Sequence, residues 1–127
     1  MFKIDGREFN VTIEQGGIER QFSVYDTKNS ERLENGDMFR DVLGTYYNYS
    51  VKIDSRALVP DEYDELYETL SAPVEFHTFE MPYGQITRVF QGYVTNGKDN
   101  YTGKIGGANR WGGLSFNMIA KELARLP

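Results

Sequence analysis

Few residues in this chain could do bond-making chemistry, and their spacing does not gather them. There is a single histidine, His77, and there are no cysteines. Thiolate nucleophiles, disulfides and thiolate metal sites are therefore excluded, and a zinc site would have to rest on carboxylates. His77 lies between Phe76 and Thr78 in an alternating segment, where it reads as a satisfied strand residue and not as a base. Ser23, Ser30, Ser50 and Ser115 stand in no strained turn of the kind that raises a nucleophile. The chain has 19 acids, so many carboxylate pairs are available and spacing alone assigns none to glycoside hydrolysis. Gly97 to Ile105 imitates a phosphate loop and fails it. Five residues separate its glycines, one too many, and Ile105 stands where a Ser or Thr must hold magnesium. No catalytic residue, metal ligand or cofactor-binding residue follows, and the chain is expected to be non-enzymatic and free of cofactors.

What remains is chemistry of contact. Tyr101 and Trp111 are candidate ligand-contact residues, and with Lys104 and Arg110 they would make a stacking surface of the kind single strands of nucleic acid use. Tyr25, Tyr46, Tyr83, Tyr93, Tyr101 and Trp111 supply flat faces that a carbohydrate- or cell-surface-binding module would need. Aromatics in a sheet serve first as core or cross-strand pairs. The third contact region is a polar arm, residues 25–39, read as a projecting hairpin that turns at Asn35-Gly36. Asn-Gly is a strong hairpin signal, because both residues tolerate positive φ. Along the arm Asp26, Lys28, Glu31, Arg32, Glu34, Asn35, Gly36, Asp37 and Arg40 mix charges and amides with no apolar face. Such an arm gains little by folding onto its own body and more by pairing with a neighbour. These nine residues are the candidate interface.

Residues 1–127 are expected to form one β-rich domain, large enough to bury roughly two-thirds of its unfolded surface. The net charge is −5. Five acids fall between Asp61 and Glu68 with no base among them; without those five, 14 acids face 14 bases. One helix therefore carries the imbalance, which argues against a nucleic-acid-binding face. No apolar run reaches the roughly 20 residues of a membrane helix. The N-terminus lacks the pattern of a signal peptide, so a soluble product of the cytoplasm is expected. The glycosylation-like triplets at Asn10, Asn48 and Asn100 are then chance matches.

The elements follow from periodicity. Phe2 to Ile13 reads as a hairpin around Asp5-Gly6, and Gly16-Gly17 as a break before a strand Ile18–Val24 with Phe22 and Val24 on one face. In Thr45–Ile53, Tyr47, Tyr49, Val51 and Ile53 share a face, as in a half-buried antiparallel strand. Residues 60–70 predict a helix, opened by Pro60, with Tyr63, Leu66, Tyr67 and Leu70 as one apolar stripe. Strands are predicted over Val74–Met81, Gln85–Thr95 and Trp111–Lys121, the last with Leu114, Phe116, Met118 and Ala120 inward. Residues 96–113 read as a Gly-rich loop. The predicted fold is mainly β, a β-sandwich or open barrel of antiparallel strands with one flanking α-helix and a long protruding hairpin.

The pattern Glu31-Arg32, Asn35-Gly36, Arg40 to Tyr49, Leu70 to His77, then Trp111 and Leu114 to Asn117 resembles small proteins encoded in the tail-gene regions of phages and prophages of Gram-positive bacteria. The resemblance spans most of the chain and contains no catalytic signature. The element order is similar to that of the tail-tube fold. The resemblance implies a virion structural protein of the tail: a tail tube, baseplate or tail-completion subunit made in the host cytoplasm. Its partners would be itself, in ring-forming homo-oligomers, and other tail proteins. It implies no membrane, and nucleic acid only as DNA passing through a tube lumen. Asp26–Phe39 would be the inter-subunit hairpin and Asp61–Leu70 the flanking helix. The 96–113 segment has no counterpart in that pattern.

Overall fold

The computed structural model describes residues 2–56 and 58–127. It is mainly β with one helix, as the alternation predicts. The strands are β1 (Lys3–Ile4), β2 (Ile13–Asp26), β3 (Glu31–Arg32), β4 (Met38–Phe39), β5 (Val42–Ile53), β6 (His77–Tyr83), β7 (Ile86–Ile105) and β8 (Ala108–Ala120), with α1 (Pro60–Ser71) between β5 and β6. Six strands form one antiparallel sheet in the order β1-β6-β7-β8-β5-β2, and β3 and β4 pair only with each other.

This sheet curls strongly. On a flat sheet β5 and β6 would lie three interstrand spacings apart, about 14 Å. Yet the Tyr49 hydroxyl on β5 donates to the Pro82 carbonyl on β6 at 2.9 Å. Tyr47 on β5 and Tyr83 on β6 bring their rings to 5.1 Å. Arg20 on β2 would be about 19 Å from β6 on a flat sheet, but its guanidinium lies 5.4 Å from the Tyr83 ring centroid. The sheet is therefore an open barrel, bridged across its mouth by side chains.

The interior follows the predicted alternation. Tyr49, Val51 and Ile53 of β5, Phe79 and Met81 of β6, and Leu114, Phe116, Met118 and Ala120 of β8 are buried. Helix α1 closes one end over Ile53, Leu114 and Phe116. Pro60 occupies its first turn with Asp61 and Glu62, which complement the positive helix end. Tyr63, Leu66 and Leu70 point into the core. Tyr67, predicted on the same stripe, sits at its margin and is 41% exposed. The helix ends where Ser71 Oγ donates back to the Tyr67 carbonyl at 2.8 Å, just before Pro73.

Three expectations about the elements need correction. Residues 96–113 are not a loop: β7 runs on to Ile105 and turns at Gly106-Gly107, both with positive φ, into β8. Register shifts between Thr95 and Lys98, Lys98 and Asn100, and Tyr101 and Gly103 interrupt the pairing. Such bulges favour Gly and Asn and erase the alternation that marks a strand, which is why composition suggested a loop. Gly16-Gly17 does not break the chain, because β2 passes through it with a register shift between Ile13 and Ile18. A Cβ on Gly17 would come within 2.5 Å of the Lys52 carbonyl oxygen. The turn at Asp5-Gly6 forms, but beyond a single bridge between Ile4 and Arg7 the chain does not return as a strand. Instead β1 pairs with β6, and Phe9 is buried from irregular backbone. The predicted turn at Asn35-Gly36 forms, with Gly36 at positive φ. The Gly36 N–H donates to the Leu33 carbonyl at 2.9 Å and the Leu33 N–H to the Asp37 carbonyl at 2.6 Å, a three-residue turn with glycine in the left-handed position.

Candidate functional site

The arm is a ribbon built from β3 and β4 at the end of the β2–β5 hairpin. Every residue from Glu31 to Arg40 is exposed. At its root Arg40 clamps Asp26 through both Nε and Nη2, the closest contact 2.5 Å. Thr27 Oγ1 donates to Asp41 at 2.7 Å, and the Asp41 N–H donates to Ser30 Oγ at 2.8 Å. At the tip the Arg32 guanidinium donates to the Gly36 carbonyl at 2.9 Å, and Asn35 bonds Asp37. Asp26, Arg32, Asn35, Gly36, Asp37 and Arg40 are thus used within the ribbon, while Lys28, Glu31 and Glu34 extend into solvent. The expectation of no apolar face is corrected: Leu33, Met38 and Phe39 are all exposed here. Glu31 pairs with Phe39 and Arg32 with Met38, so apolar and charged side chains share both faces.

Beside the ribbon's root the barrel mouth opens into a groove of about 530 Å³, lined by Arg20, Phe22, Val24, Tyr47, Tyr83 and Arg125 among others. Alternation places these side chains. Phe22 pairs with Tyr47 and Val24 with Thr45, so all four continue the inward face of β2 and β5 past the end of the core. Helix α1 does not reach them, and Phe22 is 73% exposed. Tyr47 and Tyr83 form the floor. Tyr47 takes hydrogen bonds from the Tyr83 hydroxyl first and the Arg125 guanidinium second, which lowers its proton affinity; Tyr83, as donor to Tyr47, has its own raised. Arg88 lies 5.1 Å from the Tyr47 ring centroid and 5.8 Å from that of Tyr83, a cation–π geometry. Its Nε is buried with no hydrogen-bond partner. Among the described residues no carboxylate pairs with Arg20, Arg88 or Arg125. A cationic, aromatic floor in an acidic protein can hold an anionic group by charge and an apolar one by contact.

Sequence reading did not find this groove. The available signal was parity: Arg20 alternates in register with Ile18 and Phe22, and Arg88 with Phe90. An arginine at an inward position of a strand marks where a core stops.

The other proposed residues are placed separately. Tyr101 and Trp111 are cross-strand partners on the distal β7–β8 hairpin, with ring centroids 5.1 Å apart at 64°. Tyr101 also donates to Asn109 at 3.2 Å. Tyr25 and Tyr46 form another edge-on pair at 4.8 Å, and Tyr83 lies in the groove. Tyr93 stands opposite Ile119 on β8, so the six aromatics are spread over separate places and form no common platform. His77 is buried, with Nδ1 2.7 Å from Asp5 Oδ2. Asp5 also accepts the Thr78 N–H at 2.9 Å. Partial burial opposes the charge on Asp5, but these bonds outweigh it and hold the carboxyl below its ordinary value. This contact ties the β1 turn to β6. Among the described residues no group of His, Asp or Glu could hold a metal ion, and no helix is long and apolar enough to cross a membrane.

Comparisons with protein families, curated proteins and solved structures return no match to this chain. Its function is therefore argued from its own geometry.

Proposed function

We propose that this chain is a non-enzymatic structural subunit that works by self-association and contact with partner proteins, as a tail tube, baseplate or tail-completion component of the phage and prophage group it resembles. The observation that carries this reading is the free edge of β2. This strand is 14 residues long, pairs on one side with β5 and ends the sheet on the other. A long edge with unpaired backbone groups is a liability in a solitary protein, and a second chain satisfies it. The edge leads into the ribbon, and Phe22, Val24, Tyr25, Leu33, Met38 and Phe39 are exposed along the two. Burying such surface contributes roughly 25 cal/mol per Å². The element set of an antiparallel sheet, a flanking helix and a projecting ribbon also suits the resemblance.

Static light scattering tests the reading. The intact protein is expected to give a mass above that of one chain at micromolar concentration. Deletion of Asp26–Asp37 is expected to leave a folded monomer. An undeleted chain that stays monomeric at millimolar concentration, or a deletion that assembles as well as the intact chain, would count against it.

A further inference from the structure

We infer that the basic groove receives the acidic face of α1 from a second copy of this chain, in a head-to-tail contact. The inference rests on the self-association proposed above and adds which surfaces meet.

The groove needs negative charge from outside. Arg20, Arg88 and Arg125 gather around Tyr47 and Tyr83 without a carboxylate partner, although the chain carries net charge −5. The compensating charge lies on α1. Of its acids, Glu62 and Glu65 are engaged by Arg7. Asp61, Asp64 and Glu68 have no ion-pair partner among the described residues. They recur at three- and four-residue intervals, so they form one stripe about 10 Å long at 1.5 Å per residue. That length suits a cluster of guanidiniums set around two touching rings. Tyr67 lies on the helix surface beside this stripe, 41% exposed, and supplies an aromatic side chain for the exposed Phe22 and Val24 at the groove's rim. A helix stripe that is both acidic and aromatic complements a groove that is both basic and apolar.

The two surfaces cannot meet within one molecule. Helix α1 packs over the Ile53 end of the barrel, whereas the groove lies at the Tyr47 end. Six residues of β5 separate these points, about 20 Å along the strand. Joining one end of a molecule to the other end of the next is a heterologous interface. It builds a closed ring or an open stack according to the rotation between copies. Individual exposed ion pairs hold weakly. Pairs that close together around apolar contact give direction, and salt should weaken them.

Charge exchange tests the contact. One variant carries Arg20→Glu and Arg125→Glu; another carries Asp61→Lys, Asp64→Lys and Glu68→Lys. Sedimentation equilibrium is expected to show each variant associating at least tenfold more weakly than the unaltered protein. Mixing the two should restore a heterocomplex, because the groove of each variant then meets a helix of opposite charge. Circular dichroism checks that each variant folds. If the glutamates prevent folding, Arg20→Gln with Arg125→Gln should instead flatten the salt dependence of association. Unaltered self-association in both charge-reversed variants would overturn this contact and leave the structural-subunit reading intact. So would a loss confined to the groove variant with no recovery on mixing, since another anion would then occupy the groove. A protein monomeric at millimolar concentration would overturn both readings.

Discussion

The two ends of the barrel interior are made from the same strands in the same alternation, yet they have opposite characters. At the Ile53 end the inward side chains meet Tyr63, Leu66 and Leu70 of α1 and vanish from solvent. At the Tyr47 end the same strands carry Phe22 and Val24, which stay exposed, and Tyr47, which is half-buried beside Tyr83, Arg88 and Arg125. Alternation decides which way a side chain points. Whether that direction is core depends on a second layer, and among the described residues one helix serves a sheet whose longest strands, β2, β5, β7 and β8, extend well past it. The uncovered end carries arginines where the covered end carries leucine and isoleucine, consistent with surface that stays in water until a partner arrives.

This contrast can be broken most directly at its covered end. Leu66→Ala should cost about 2–5 kcal/mol, through lost transfer energy and an unfilled cavity. Phe22→Ser at the uncovered end should change the stability of the dissociated protein by less than about 0.5 kcal/mol. Urea unfolding followed by circular dichroism measures both, and similar losses would mean that the open end is packed after all. A smaller effect is expected where β1 is tied to β6. Asp5→Asn weakens the support of buried His77 and should cost about 1–3 kcal/mol at neutral pH. Asn keeps the positive φ of this turn tolerable. The Asp5 carboxyl is held below 3.8 in the folded chain. Its stabilisation is therefore present above that unfolded value and lost as pH falls through the lowered folded one. The gap between the natural protein and Asp5→Asn should accordingly narrow below about pH 4, read from denaturation midpoints across pH. A smaller loss than at Asp5 is expected at the bridge across the mouth. Tyr49→Phe removes the hydrogen bond to the Pro82 carbonyl and should cost about 0.5–1.5 kcal/mol. Faster amide exchange in β6 than in β8 would locate the loss at the seam.

Much of the fold was legible because local chemistry and final environment agree. Tyr49, Val51 and Ile53 alternate with polar neighbours and are buried, as are Leu114, Phe116 and Met118. Pro60 and the early acids marked the start of α1. The distal half of β7 was not legible, since each bulge shifts the pattern by a residue and replaces apolar side chains with Gly or Asn. The curl of the sheet was left undecided between a sandwich and an open barrel, because it depends on Tyr49, Tyr47 and Arg20 reaching strands that are distant in sheet order. The groove is a product of that curl. Its cations come from β2, β7 and the C-terminal segment, where Arg125 is fixed by a backbone bridge to Thr45. No window of sequence contains them together. The ribbon was legible from Asn35-Gly36, but its internal clamps were not, since Arg40 and Asp26 stand 14 residues apart on opposite sides of the turn.

Tyr63 joins two parts of the molecule that otherwise behave differently. Its ring is 2% exposed in the core, while its hydroxyl donates to Asp99 at 3.0 Å, on the bulged and solvent-facing stretch of β7. Burial first, and Asp99 second, push its ionisation well above the ordinary tyrosine value of 10.0. In alkali the unfolded chain would release this proton while the folded one kept it. The fastening between helix and hairpin is thus at full strength below about pH 10 and is progressively undermined above it, from the side of the denatured chain. Strong base should therefore loosen this protein from within its sheet-and-helix joint.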